Sequence, residues 1–300
     1  MRLKIDNLLA NVPLVKLKYF KNNDVYSLME KYNICGSIKV KTVYWILKNA
    51  FKSGKLREKH TVIEASSGNT AIALSYLSKI FNVNVEIVLP TSTSQCKKRL
   101  IAAYGAKIIE IDGTTDDCII YRDKLVNNNP DKYFKLNQFE DYNNLEAHYH
   151  LTGKFIYSKI GNVDYFFAGL GTSGTLLGTA KFLKEKNPNT KVIAINPIEK
   201  IEGLRNFKTK KISIPFYNDY NYLIDEIIDV TYDDAIKGVE LFLEEGYFVG
   251  LSSGAVMKKA LDYMTKINNK TGVIIAPDGG DYYLDILANR IDIKEFKLCK

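Results

Sequence analysis

Histidine and cysteine are scarce in this chain of 300 residues, which holds three and four of them. The cysteines, Cys35, Cys96, Cys118 and Cys299, form no Cys-x-x-Cys pair. In a cytosolic chain of this size that pattern argues for free thiols and against a disulfide framework. His148 and His150 stand two apart in a helix-like stretch, so they point to different faces and cannot share an ion; no metal is expected. No apolar run approaches the roughly 20 residues that span a bilayer. The opening Met1-Arg2-Leu3-Lys4-Ile5-Asp6 has no long apolar core of a secretory leader, so a cytoplasmic location is expected. Low-complexity segments and short-period repeats are missing too.

What is present is an ordinary globular composition, with 46% hydrophobic residues and a quarter charged. That is enough for a sizeable core, arranged in two lobes. The net charge of +8 raises the question of nucleic acid. Yet the lysines are scattered, often beside carboxylates as in Lys184-Glu185-Lys186, whereas nucleic-acid binding needs a clustered stripe. A solvated surface with some pull on anionic ligands is expected, with neither nucleic acid nor membrane as partner.

Short β-rich runs alternate with helix-length amphipathic segments. Thr61–Glu64, Val85–Leu89, Lys107–Ile111, Asp164–Ala168, Lys191–Ile195 and Gly272–Ala276 read as strands. Helices are expected from about Asn69, over Ser94–Tyr104, after Asp116 and from Thr175. This rhythm predicts an α/β fold of parallel sheets with helices on both faces. Between Pro197 and Asp219 the periodicity lapses into a long loop, and such loops in compact α/β enzymes are often functional.

Four turns carry chemistry. Gly36-Ser37-Ile38-Lys39 sets a lysine at the mouth of an apolar helix. Lysine is the side chain that forms an imine with an aldehyde cofactor, and desolvation suits it to that task. By itself the turn says little in a lysine-rich chain. Ser66-Ser67-Gly68-Asn69-Thr70 follows a strand and offers backbone N–H groups and hydroxyls to an anion such as a carboxylate. Plain N-capping accounts for one of these side chains, not for all five residues. Gly169-Leu170-Gly171-Thr172-Ser173-Gly174-Thr175 matches a dinucleotide fingerprint in form. The next strand, however, ends Ala194-Ile195-Asn196-Pro197 without the acidic residue that a ribose requires, so a single phosphate is the preferred ligand and a dinucleotide the alternative. Gly250-Leu251-Ser252-Ser253-Gly254-Ala255 is the fourth, and alone would be only a helix cap.

Taken together and in this order, the turns resemble those of the cysteine synthase / cystathionine β-synthase family, the fold type II pyridoxal-phosphate enzymes. The likeness starts at Asn11-Val12-Pro13-Leu14-Val15-Lys16-Leu17, passes Asn137-Gln138-Phe139 and Thr152-Gly153, and ends at Pro277-Asp278-Gly279-Gly280-Asp281-Tyr282. It implies a large cofactor lobe of residues 1–41 and 146–300, a smaller mobile lobe of 42–145, and a homodimer. By resemblance, Lys39 would hold pyridoxal 5′-phosphate as a Schiff base and Asn69 would bond its 3′-oxygen. Gly171, Thr172, Ser173, Gly174 and Thr175 would bind its phosphate. Ser66, Ser67, Gly68 and Thr70, with Gln138, would hold the substrate carboxylate, and Ser252 would face the pyridine nitrogen. A neutral serine there disfavours carbanion chemistry, so β-elimination through an α-aminoacrylate is expected.

There are departures from the family. Val40 and Lys41 stand where Asp-Arg is usual after the lysine, and Ile34-Cys35 where Pro-Gly is usual. The Gly-Ile-Gly loop of sulfhydrylases is not recognisable around Glu202-Gly203-Leu204-Arg205. Cys35 is expected to be a buried spectator and not a reactive thiol. The leading expectation is hydrogen sulfide release from L-cysteine, with water giving L-serine. Cysteine synthase chemistry on O-acetylserine is the alternative, followed by a serine or threonine dehydratase or a non-catalytic binding partner. Water needs a general base, and the stretch after Pro197 offers Glu199, Glu202, Asp219 and Asp225. Asp225, set between apolar Tyr222-Leu223-Ile224 and strand-like Glu226-Ile227-Ile228, is the candidate, with a structural cap as its other reading.

Overall fold

The computed structural model describes residues 5–208, 214–287 and 290–291. Among the described residues, ten strands form two sheets. The larger combines β1 (Leu14–Lys16), β2 (Asp24–Met29), β7 (Tyr165–Gly169), β8 (Lys191–Pro197), β9 (Glu226–Val230) and β10 (Thr271–Ala276) in the order β1-β2-β10-β7-β8-β9. Only β1 runs antiparallel to its neighbour. The smaller sheet is wholly parallel, β5-β4-β3-β6, from β3 (Thr61–Ala65), β4 (Asn84–Pro90), β5 (Lys107–Ile111) and β6 (Tyr133–Lys135).

The helices are α1 (Ile5–Ala10), α2 (Lys39–Lys52), α3 (Asn69–Phe81), α4 (Gln95–Ala103), α5 (Thr115–Asn128), α6 (Asn143–His148), α7 (Lys154–Ile160), α8 (Gly174–Lys186), α9 (Pro215–Tyr220), α10 (Tyr232–Glu244), α11 (Leu251–Met264) and α12 (Leu284–Leu287). Parallel strands demand such crossovers, which is why buried strands such as Thr-Val-Ile-Glu-Ala read as unbroken apolar runs. The fold is the α/β arrangement of parallel sheets expected, and the runs read as strands lie within strands except for Asp164, which precedes β7. β1, β2 and β6 escape that reading. β1 and β6 are three residues each, and the polar Asp24 and Ser27 break up β2.

Capping boxes fix two helix starts, Thr114 with Asp117 on α5 and Thr231 with Asp234 on α10. α10 and α11 pack backbone to backbone, since a Cβ on Gly238 would lie 1.8 Å from the Gly254 carbonyl oxygen. The stretch after Pro197 is irregular to Lys208 and regular again from Pro215; residues 209–213, like Cys299, lie outside the described residues. Among the described residues, no helix is long and apolar enough to cross a membrane, and no cluster of metal-ligating side chains occurs. Cys35, Cys96 and Cys118 are free.

Candidate active site

The chemistry-bearing turns gather at the carboxyl ends of the strands, where ligands bind in open parallel sheets. Lys39 opens α2, next to the carboxyl end of β10. Ile38 N–H donates to the Pro277 carbonyl oxygen at 2.8 Å, and Ser37 pairs with Asp278 in an isolated bridge. Cys35 and Gly36 take left-handed φ values of 66° and 70° to make this approach. Burial, above all, holds the Lys39 amine below its ordinary value. The Asp278 carboxylate opposes that effect and the Arg205 cation adds to it. A lysine biased towards its neutral form is what imine chemistry and proton abstraction need.

The Ser66–Thr70 turn leaves β3 and opens α3. Its Thr70 hydroxyl donates to Gln138 Oε1 at 2.9 Å, so two expected substrate residues are in contact. Asn69 Nδ2 donates to Asp278 Oδ2 at 2.7 Å, linking the smaller sheet to the larger. The glycine-rich turn leaves β7 and enters α8, with Ser173 at φ 64°. Here glycine is required at 174, because a Cβ would fall 2.2 Å from Asn144 Oδ1. Ser252 sits buried in the first turn of α11. The Glu202–Arg205 loop covers this floor. Arg205 N–H donates to the Leu170 carbonyl oxygen at 2.8 Å, and a Cβ on Gly171 would lie 2.8 Å from the Gly203 carbonyl oxygen. The Arg205 guanidinium stacks on Phe139 at 4.1 Å from the ring centroid.

Beneath the turns lies a polar network that sequence reasoning missed. Asn144, fully buried, donates to the Gln138 carbonyl oxygen (2.7 Å) and to Thr172 Oγ1 (2.9 Å), and accepts from the Thr42 hydroxyl (3.0 Å). His148 Nε2 lies 3.0 Å from Thr42 Oγ1 and 3.1 Å from Thr175 Oγ1, and Nδ1 lies 3.1 Å from Thr152 Oγ1. Lys41 is paired with Glu30, both fully buried. A π-helical turn over Tyr149–Gly153 sets the spacing of this layer. The faint signal was Asn, His and Thr inside a helix-like stretch with few other polar positions free to face solvent.

One expectation is corrected. Asp225 precedes β9 at the amino end of the large sheet, in ion pairs with Lys184 (2.7 Å) and Lys191 (3.1 Å), and accepts from Val192 N–H. β8, which starts beside it, must run its seven residues, about 20 Å, to reach the turns. The carboxylate is a structural cap. Cys35 is half-buried, and burial pushes its thiol up to about 12, in the direction of a spectator.

The model for the family described as "Pyridoxal-phosphate dependent enzyme" matches residues 5–278. The chain belongs to this family. It is 35% identical over 291 residues to a cysteine synthase of Aquifex aeolicus, covering 92% of this chain and 89% of that one. It is 32% identical to an O-acetylserine dependent cystathionine beta-synthase of Bacillus subtilis, covering 93% and 95%. The structure of a hydrogen sulfide-producing enzyme from Fusobacterium nucleatum superposes with a TM-score of 0.87 at 33% identity, covering 95% and 98%. The cysteine synthase branch and its cofactor, pyridoxal 5′-phosphate, are thereby established.

The residues present fit that cofactor. Buried side-chain atoms without a hydrogen-bond partner include Ser37 Oγ, Asn69 Oδ1, Glu202 Oε2 and Asp278 Oδ1, all from the turns and loop just described. Polar atoms are seldom left orphaned in an interior unless a ligand takes them up.

Proposed function

We propose that this enzyme releases hydrogen sulfide from L-cysteine by β-elimination, with water entering to give L-serine. When bound, pyridoxal phosphate supplies the sink for electrons freed at the α-carbon. Lys39 would hold the cofactor, and its amine, biased towards the neutral form, would take the α-proton. Ser66, Ser67, Gly68, Thr70 and Gln138 hold the cysteine carboxylate, which fixes the α-carbon against that amine. Gly171–Thr175 would cradle the phosphate, and Asn69 would meet the 3′-oxygen.

The observation that carries the sulfide-releasing direction is the Glu202–Arg205 loop. Arg205 acts electrostatically on Lys39, and a cation there eases departure of a hydrosulfide anion. Of the four carboxylates in this stretch, Glu199 accepts from Tyr232 N–H, Asp219 from the Tyr142 hydroxyl, and Asp225 is ion-paired. Glu202 alone keeps a buried oxygen without a partner, beside Gly203 at the floor of the site. It replaces Asp225 as the base for water. The likeness to the Fusobacterium hydrogen sulfide-producing enzyme supports this direction; the likeness to the Aquifex cysteine synthase favours the synthase direction.

Cysteine alone decides between them. Sulfide and serine in equal amounts are expected, and Glu202→Gln is expected to lower serine formation about a hundredfold while Asp225→Asn leaves it unchanged. Turnover only with O-acetylserine plus sulfide would make the protein a synthase, and pyruvate in place of serine would leave water without its base.

A further inference from the structure

The first turn of α4 carries a cation without a counter-ion. Lys97 is half-buried, and its Nζ lies 5.0 Å from the centroid of the Tyr283 ring. Among the described residues its ammonium makes no ion pair or hydrogen bond. The next residue is the contrast, since Lys98 is tied to Glu110 at 2.5 Å and to the Thr91 carbonyl oxygen at 2.8 Å. Burial, above all, holds the Lys97 amine below its ordinary value, against the pull of Asp278, Glu202 and Cys96. A cation taken out of water is costly until a carboxylate meets it.

Two carboxylates face it. Asp278 pulls the harder, but its Oδ2 is filled by Asn69 Nδ2 at 2.7 Å and the Tyr283 hydroxyl at 2.8 Å, and Lys39 competes for its charge. Glu202 is less engaged. Its Oε2 is buried and has no hydrogen-bond partner, and the next residue, Gly203, gives the loop a left-handed φ of 86°. Tyr283, 5% exposed, is a floor common to both, with Lys97 over its ring and Glu202 acting on its hydroxyl. The two charges come from different sheets: α4 joins β4 to β5 of the smaller one, and Glu202 follows β8 of the larger.

We propose that Lys97 is a positioning residue, which takes the free oxygen of Glu202 across the cleft and aims the other oxygen at the entering water. This rests on Glu202 as the base for water. A carboxylate accepts at two oxygens, so an ammonium on one leaves the other to receive the proton of water while the water oxygen bonds to the β-carbon. Without the ammonium, the carboxylate samples several rotamers and the water loses its alignment.

Two measurements test this. In the first, holoenzyme is given L-cysteine alone and the ratio of serine to pyruvate is read, pyruvate being what forms when no water reaches the β-carbon. Lys97→Met is expected to lower that ratio about tenfold, and Lys97→Arg to restore most of it. Adding Lys97→Met to Glu202→Gln should lower it no further, because the lysine acts only through the carboxylate. Independent, multiplying effects of the two substitutions would overturn the proposal. In the second, holoenzyme saturated with L-serine is acetylated briefly and Lys97 is followed by peptide mapping. Its acetylation is expected to be about tenfold faster in Glu202→Gln than in the wild type, because a paired ammonium gives up its proton less readily. Equal rates would overturn the proposal, whether or not the Lys97 variants fold. Acetylation that responds to Glu202→Gln, with a serine-to-pyruvate ratio that does not, would overturn only the reading of Glu202 as the base.

Discussion

His148 is fully buried between Thr42, Thr152 and Thr175. Burial first, then the positive charges of Lys41 and Lys39, hold its imidazole well below the ordinary value of 6.5. In the unfolded chain the same ring takes up a proton near that value. Below it the unfolded state binds more protons than the native state, so stability is lost as pH falls through about 6.5, at up to about 1.4 kcal/mol per pH unit. Denaturant melts from pH 8 to 5 on wild type and His148→Gln are expected to show that slope shrinking in the variant. Equal slopes would mean that His148 titrates normally. None of this was legible in the sequence. His148 was weighed there only as a metal ligand, and Lys41 only as a departure from Arg. Which partner a buried polar side chain finds depends on elements over 100 residues away, as Lys41 and Thr152 do. Lys39 was legible because Gly-Ser ahead of an apolar helix is a local signal.

The strand–turn–helix units were the most readable level. Lys107–Ile111 was delimited to the residue, and α3 starts at Asn69 as expected, because each is marked by its own periodicity and turn residues. The asymmetry between the ends of a parallel sheet was not used, and that is how Asp225 was misplaced. A carboxylate before a strand belongs to the amino end and one after it to the carboxyl end, a rule that favours Glu202, after β8, over Asp225, before β9. The contact of α10 with α11 makes a sharper forecast. Gly238→Ala would drive a methyl group into the Gly254 carbonyl, which is backbone and cannot swing aside. Overpacking of this kind costs about 1–3 kcal/mol or more, read as a lower denaturation midpoint at unchanged slope. Gly161→Ala is the contrast. Nothing lies within 4 Å of its Cβ, and only the strain of φ 72° is felt. A Gly238 variant as stable as wild type would refute the close packing.

Site residues come from both sheets, with Ser66–Thr70 following β3 and Gly171–Thr175, Ser252 and Asp278 carried by the larger sheet and its helices. We propose that residues 42–145 move towards the rest when substrate binds, since the carboxylate turn sits on that side and closure would exclude water. Crystals of the enzyme free and with substrate, grown without packing restraint, are expected to differ by a rotation of this lobe; superposable structures would contradict it. All of these readings depend on one anchor. Reduction of the holoenzyme with borohydride, followed by proteolysis and peptide mapping, fixes the cofactor where it is attached. The account predicts label on the peptide bearing Lys39 and none after Lys39→Ala. Label on any other lysine of the wild type would contradict it.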